Sequence, residues 1–362
     1  MMKAAVLYEF GSELKIEEMP DLRIGSGEVV VDVVATGILP YTKHVLSGER
    51  KYPMTLPMVP GAGAIGRIRE LGPDSTHLKV GEWVSCDPTV RSRDDALSPD
   101  ITLQGASARG AGGLRLQNYY RHGSFAEQIR VPTENVYPIG QIKEADASKW
   151  CAQMVLIVPL GGLLAIDLKP GETIVISGAT GNFGSGAVMM ALALGASRVV
   201  APGRNEKTLA DLVRRFGARV KPVQLTGDEK IDRDQMMQAA DGPIDCVFDI
   251  LPPQVPASVV RSALMTVRES GRVALMGGVG MLGGEELSLP YPWIMRNNIT
   301  IKGKWMYPRE ANVQLIRMIR AGLVDLNQFE SRDFPLVGVN QAIADAAANG
   351  KAFMTTVLRP AH

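Results

Sequence analysis

The sequence predicts an α/β protein of two domains: an irregular β-barrel or sandwich, then a doubly wound parallel sheet covered by helices on both faces. Three observations lead there. The chain has 362 residues, and a single domain takes roughly 150. Up to about residue 150 it reads as short strands separated by Gly, Pro and Asp, and beyond that strand-like and helical runs alternate, as in βαβ units. Residues 173–197 carry no charge, which is long enough to cross a bilayer. Five glycines with Ser177, Thr180, Asn182 and Ser185 interrupt that run, so it reads as buried strand, turn and buried helix.

In chain order, residues 3–8 and 28–36 are β-rich, the second run ending at Gly37. Residues 64–71, 83–86 and 126–131 follow as strands between turn residues,. Residues 87–123 mix Arg, Ser, Asp, Gly and Tyr without a period and are expected to form a long loop. Strands are then expected at 173–177, 198–201, 246–250, 272–276 and 299–303. Helices are expected at 185–194, 206–216 and 259–267, with a last helix at 311–321 before a short mixed tail,. No internal repeat or low-complexity segment is visible.

Lys and Arg number 39 against 38 Asp and Glu, a net charge of +1. That balance leaves no electrostatic footprint for nucleic acid or an anionic membrane. With 46% hydrophobic and 21% charged residues the chain can build a core and lacks a disorder signature. Cys86, Cys151 and Cys246 are scattered and form no C-x-x-C, which argues against a disulfide scaffold or a cysteine-cage metal site. A cytoplasmic, reducing compartment is expected, and the apolar run at the N-terminus is too short for a signal peptide.

The sharpest motif is Ile176-Ser177-Gly178-Ala179-Thr180-Gly181-Asn182-Phe183-Gly184, which follows an apolar strand and opens a helix. A dinucleotide site needs this context, because the backbone must approach a pyrophosphate at the positive end of a helix. Gly184 would let the helix lie close to the sheet, whereas Ala179 stands where many such folds have their first glycine. The plainer reading is an ordinary glycine turn. After the next strand come Gly203, Arg204, Asn205 and Lys207, where NAD sites usually place an acid for the ribose 2′-OH. An acid would repel a 2′-phosphate and Arg204 can grip one, so NADP(H) is favoured over NAD(H); the alternative is a solvated helix start. Asp249 and the pair Gly277–Gly278 end later strands, where cofactor contacts gather.

With these residues in place, the chain resembles the medium-chain dehydrogenase/reductase superfamily over nearly its whole length. The landmarks are Ala35-Thr36-Gly37, Gly61, Gly66, Val80-Gly81-Glu82-Trp83-Val84, Gly123-Ser124-Phe125-Ala126-Glu127 and Leu168-Lys169-Pro170-Gly171-Glu172-Thr173. The resemblance implies a GroES-like substrate domain from both chain ends (1–157 and 306–362), an inserted Rossmann domain (158–305) and a cleft between them. Zinc-dependent members carry a Cys soon after A-T-G, a His-Glu after the next glycine and a further Cys before the Rossmann domain. Here Leu39 stands at the first place, Ala62 and Gly63 at the second, and no Cys lies near residues 159–162, Cys151 falling several residues early. The four-Cys lobe is also missing, so no metal is expected.

Without a Lewis acid, hydride addition needs another way to stabilise the developing oxyanion. A conjugated enone or quinone spreads that charge, as in the zinc-free quinone and enoyl reductases that the chain resembles. Pro40-Tyr41-Thr42-Lys43-His44 stands where relatives carry a proton relay. The resemblance implies Tyr41 as hydroxyl and His44 as relay, with Lys43 able to lower the Tyr41 pKa; the plain reading is a cleft wall and a helix residue. Tyr119, Tyr120, His122, Tyr291, Trp293, Trp305 and Tyr307 are candidates for pocket wall, surface or interface. The expected function is NADPH-dependent, zinc-independent reduction of an activated C=C or a quinone. One alternative is a zinc-free ketone reductase or secondary alcohol dehydrogenase using Tyr41, Lys43 and His44. Another is a non-catalytic NADPH-binding sensor or structural protein. The expected partner is a small carbonyl or quinone substrate rather than nucleic acid or membrane. Family habit adds a homodimer paired through strand 299–303.

Overall fold

The computed structural model describes residues 1–360. The chain packs as two compact units. One comprises Met1–Met154, Leu326–Gly350 and the chain from Met354 on; the other comprises Val155–Asp325 and Lys351–Phe353. The first unit therefore draws on both ends of the chain. Residues 306–325, expected from sequence in the first domain with the rest of 306–362, pack with the second unit. Tyr307 shows why: it is 4% exposed and packs on Gly161, where an added Cβ would come within 2.5 Å of the Tyr307 Cβ.

In the first unit the strand Glu28–Ile38 is the organiser. It pairs antiparallel with Ala64–Leu71, Gln128–Pro132 and Met354–Arg359. Ala64–Leu71 pairs with Trp83–Cys86, and that strand with Val136–Pro138. At the other end Glu330–Pro335 lies parallel to Met354–Arg359. Val29, Val31 and Val33 bury one face with Ile68, Val84, Ile129 and Val131, and Val30 and Val34 on the other face are buried too, so the strand is covered on both sides. A hairpin of Met2–Val6 and Lys15–Met19 is tied on by the Ala5 N–H, which donates to the Phe125 carbonyl at 2.8 Å.

The long loop expected over 87–123 is corrected. It folds as the antiparallel strands Thr89–Arg91, Ile101–Leu103 and Ser107–Arg109, followed by the helix Gly110–Tyr119. Three-residue strands show no readable period, and the helix opens Gly-Ala-Gly-Gly, a sequence of poor intrinsic propensity. Tertiary hydrogen bonds hold the segment instead. The Asn135 amide donates to the Asp87 and Thr89 carbonyls (2.8 and 2.9 Å), and the Gln104 amide to those of His122 and Arg130 (both 2.8 Å). The mixed tail likewise resolves into two strands around the helix Val339–Asn349.

The second unit is a six-stranded parallel sheet. Its order is Val220–Gln224, Arg198–Gly203, Thr173–Ser177, Cys246–Asp249, Arg272–Leu275, Thr300–Gly303. The first strand in sequence lies in the middle, so right-handed crossovers wind outward on both sides of it. That is the Rossmann arrangement, with its switch point between Thr173–Ser177 and Cys246–Asp249. Every residue of Thr173–Ser177 is buried, as a central parallel strand requires. Among the described residues one helical run, Glu144–Ala165, is long and apolar enough to cross a membrane, and 72% of its apolar window is buried in the fold.

Candidate functional site

The strand Thr173–Ser177 ends in a turn that reverses at Gly178 (φ +94°) and caps the helix Asn182–Ala193 with Gly181. The Gly181 N–H donates to the Gly178 carbonyl at 2.9 Å and the Ser185 N–H to that of Gly181 at 2.9 Å. Gly184 is buried, and a Cβ there would overlap the Gly178 carbonyl oxygen. Ala179 is fully buried, Thr180, Asn182 and Phe183 are half-buried, and Gly181 is exposed. The Asn182 amide donates to the Lys351 carbonyl at 3.1 Å. Small residues and outward N–H groups at a helix start make a cradle for an anion.

Two neighbouring strand ends complete the edge. Gly203 lies against the Thr180 side chain, and Arg204 and Lys207 just beyond it are exposed. The Asn205 side chain accepts from the Thr208 N–H at 3.0 Å and caps the helix Glu206–Phe216. Its Oδ1 thus holds the helix start, and the cap leaves the amide N–H groups of Asn205 out of that bond. The Gln224 amide donates to the Arg204 carbonyl at 2.9 Å; Gln224 ends the strand Val220–Gln224, whose Pro222 masks it in the sequence,.

On the other side of the turn, Asp249 pairs in register with Ser177. It is 3% exposed, and its Oδ1 has no hydrogen-bond partner among the described residues. Burial pushes its carboxyl up to about 6, against the lowering effect of the Ser177 hydroxyl and the Leu251 N–H. Gly277 leaves room for that carboxylate, since a Cβ there would overlap Asp249 Oδ2, and the Gly278 N–H donates to the Leu251 carbonyl at 2.8 Å. The cofactor residues expected from sequence thus meet at the carboxyl edge of one sheet, where such folds bind ligands.

In the first unit, Tyr41 precedes the short helix Thr42–Leu46. The Arg50 guanidinium lies 4.1 Å from its ring centroid and donates to the Tyr52 hydroxyl at 3.2 Å. Burial raises the Tyr41 phenol well above its ordinary range, Tyr52 adds to this and Arg50 opposes it. The expected lowering by Lys43 is corrected: the cation on the ring is Arg50. Lys43 and His44 are exposed, and His44 Nδ1 lies 2.7 Å from Glu49 Oε2, which is lowered by that contact.

The aromatic candidates divide. Tyr307 and Trp293 pack within the second unit, while Tyr291 and Trp305 are 75% and 44% exposed. The Val59 N–H donates to His122 Nδ1 at 3.2 Å, and the rings of Tyr119 and Tyr120 lie 4.7 and 6.0 Å from the Arg130 guanidinium.

Two family models match, an alcohol dehydrogenase GroES-like domain over residues 25–141 and a zinc-binding dehydrogenase over 183–321. The chain belongs to the medium-chain dehydrogenase/reductase superfamily. It is 29% identical over 331 residues to an alcohol dehydrogenase of Geobacillus stearothermophilus, covering 89% of this chain and 90% of that protein. It is 26% identical over 363 residues to an L-threonine 3-dehydrogenase of Streptomyces coelicolor, covering 96% of each. The thermostable alcohol dehydrogenase structure of Pyrobaculum aerophilum shares the fold over 99% of both chains, with a TM-score of 0.76 at 21% identity. A Sinorhizobium meliloti structure described as a zinc-binding dehydrogenase bound to NADP does so with a TM-score of 0.78 at 20% identity, again over 99% of both chains.

This medium-chain dehydrogenase/reductase is therefore an oxidoreductase of a nicotinamide-binding family, and the glycine turn with its strand ends fits such a cofactor. Zinc does not fit the residues present. Leu39, Ala62 and Gly63, where the resemblance sets the family's ligands, offer no side-chain donor,. All three cysteines are buried and free, and Cys86 and Cys151 are pushed well above the ordinary thiol range by burial. Among the described residues no three His, Cys, Asp or Glu side chains come together to hold a metal ion.

Proposed function

We propose that this enzyme is a zinc-independent, NADP(H)-dependent reductase of conjugated enones or quinones. The observation that supports the reading is the tight glycine turn Gly178–Gly184 at a helix start, in a chain with Leu39, Ala62 and Gly63 where the resemblance sets the family's zinc ligands. The backbone from Gly178 to Gly184 would hold the pyrophosphate, Arg204 and Lys207 would take the 2′-phosphate, and Asp249, Gly277 and Gly278 would line the same strand-end edge. The bound nicotinamide supplies a hydride. Addition at a β-carbon sends the electron pair to the carbonyl oxygen, and Tyr41 donates its phenolic proton to that oxygen. A phenol of ordinary pKa, about 10, is already protonated at neutral pH, and burial raises this one further.

The names of the curated relatives favour a second reading, in which a ketone is reduced or a secondary alcohol oxidised directly. NADPH consumption across enones, quinones and simple ketones separates the two. Turnover of enones or quinones is expected, and turnover of simple ketones alone would overturn the first reading. Tight NADPH binding without turnover would leave a non-catalytic binder. The neutral charge and the buried thiols suit a cytoplasmic enzyme of small molecules rather than of membranes or nucleic acids. The exposed edge strand Thr300–Gly303 suits pairing with a second copy, which a molar mass in solution checks.

A further inference from the structure

We propose that Arg50 forms an oxyanion subsite beside Tyr41, so that the substrate is an enone bearing a carboxylate. The subsite rests on the reading of Tyr41 as proton donor to a substrate carbonyl, and narrows it to a class of substrate. The short helix Thr42–Leu46 runs into a turn in which the Lys51 N–H donates to the Gly48 carbonyl at 3.0 Å, with Gly48 and Lys51 at φ +83° and +49°. The Arg50 N–H donates to the His44 carbonyl, also at 3.0 Å. Arg50 is thereby folded back over the residue that precedes the helix. Its guanidinium lies 4.1 Å from the centroid of the Tyr41 ring and donates to the Tyr52 hydroxyl at 3.2 Å.

Among the described residues this cation has no ion-pair partner, although Glu49 is its neighbour in the chain. The Glu49 carboxylate turns instead to His44 Nδ1 and the Ser47 hydroxyl, at 2.7 and 3.1 Å. Elsewhere in the fold arginines meet acids, as Arg93 meets Glu134 at 2.7 Å and Arg261 meets Glu229 at 2.8 Å. A guanidinium carries five N–H donors in a planar fork, and the Tyr52 hydroxyl takes one of them. Tyr52 accepts that bond on a lone pair, so its own O–H remains a donor. Arg50, Tyr41 and Tyr52 are all half-buried. A charge stacked on a ring in this way is oriented and partly stripped of water, yet open to a ligand. Paired N–H groups on a fixed plane match the two oxygens of a carboxylate. One guanidinium also carries one charge, that of a carboxylate rather than of a phosphate dianion. A carboxylate held at Arg50 lies beside the phenol that protonates the carbonyl, which limits the substrate to short chains with the two groups a few carbons apart.

The experiment compares acetylacrylate, an enone whose β-carbon bears a carboxylate, with its methyl ester, which keeps the enone and loses the charge. Turnover with NADPH at neutral pH is measured for the wild type and Arg50→Gln. Binding of the saturated acid, levulinate, to the same full-length proteins is measured by calorimetry. The wild type is expected to prefer the acid. Arg50→Gln should lower kcat/KM for the acid by about 10- to 100-fold, chiefly through KM, as hydrogen bonds to a charged group are lost. The ester should change by no more than about threefold, which also shows that the variant is folded. Levulinate affinity should fall in step with kcat/KM for the acid. Equal losses on acid and ester would make Arg50 a packing partner of the Tyr41 ring and overturn the subsite. Levulinate binding that is absent from the wild type, or unchanged in Arg50→Gln, would overturn it as well. Levulinate binding that depends on Arg50, in a wild type that reduces neither compound, would leave the carboxylate subsite standing and overturn the enone reading.

Discussion

Gly184 stands so close to Gly178 that a single methyl on it would overlap the Gly178 carbonyl oxygen. The obstacle is backbone, so no rotamer relieves it, and the helix Asn182–Ala193 would have to move off the strand end. Gly184→Ala is expected to cost about 1–3 kcal/mol, the range for overpacking a tight site, and to weaken dinucleotide binding. Gly181→Ala is the contrast, because only the Gly178 carbonyl lies near its Cβ direction, at 3.3 Å. Unfolding midpoints and NADPH titrations of the two variants check the difference, and equal behaviour would contradict it.

In the proposed reading, Arg204 is the residue that favours NADP(H) over NAD(H). Its backbone is held by the Gln224 amide and by the helix that Asn205 caps, so the guanidinium leaves a fixed root. Arg204→Glu replaces a phosphate-seeking cation by a carboxylate, and NADPH affinity is expected to fall about a hundredfold. NADH, with a 2′-OH that an acid can hold, should lose nothing. Calorimetric titration of both dinucleotides reads the ratio; a parallel loss would mean that Arg204 only supports the helix.

How much was legible depended on how local the cause was. The strand Thr173–Ser177, the turn and the helix Glu206–Phe216 are written in contiguous residues, and the structure places them within a few positions of expectation. The segment 87–123 was illegible because Asn135 and Gln104 hold it by hydrogen bonds to distant backbone, which leaves no periodic mark. Around Tyr41 the residue types were readable but the partner was not. Lys43 is near in sequence and exposed, whereas Arg50 reaches the ring from beyond the short helix. Lys351 lay in a tail with no pattern, and only the fold brings it to Asn182.

Tyr41→Phe removes the proposed proton donor and keeps the ring, so kcat is expected to fall by about 10²–10⁴-fold with little change in KM. Lys43→Met and His44→Ala should stay near wild type, since both side chains are exposed and His44 is held by Glu49. Because the phenol lies above its ordinary range, kcat should be level from pH 6 to 9, a span set by the ordinary tyrosine pKa of about 10. Arg50 lowers that pKa, so Arg50→Met should move any alkaline fall to higher pH. A limb near neutrality would assign the proton to another group.

A chelator tests the donor set directly. With Leu39, Ala62 and Gly63 at the matched ligand places and no cluster of donors among the described residues, prolonged dialysis against a zinc chelator is expected to leave both turnover and unfolding midpoint unchanged. Loss of activity restored by added zinc would refute zinc independence while leaving the family assignment intact.

Asp249 makes the stability of the fold depend on pH. Burial lifts its carboxyl from the ordinary value of 3.8 to about 6, so between these values the folded state binds more protons than the unfolded chain. Stability from this group is therefore complete below about pH 4 and is lost as pH rises through 6, a difference of about 3 kcal/mol. Asp249→Asn keeps the shape and removes the ionisation. It is expected to be more stable than wild type at pH 8, by up to that amount, and equal to it near pH 4, as denaturant unfolding at the two pH values would show. A variant less stable at pH 8 would mean that the hydrogen bonds from the Ser177 hydroxyl and the Leu251 N–H outweigh the cost of burying the charge. The confirmed result would show that an acid costly to the empty fold is kept at the strand end that faces the cofactor, where sites commonly carry groups with shifted pKa values.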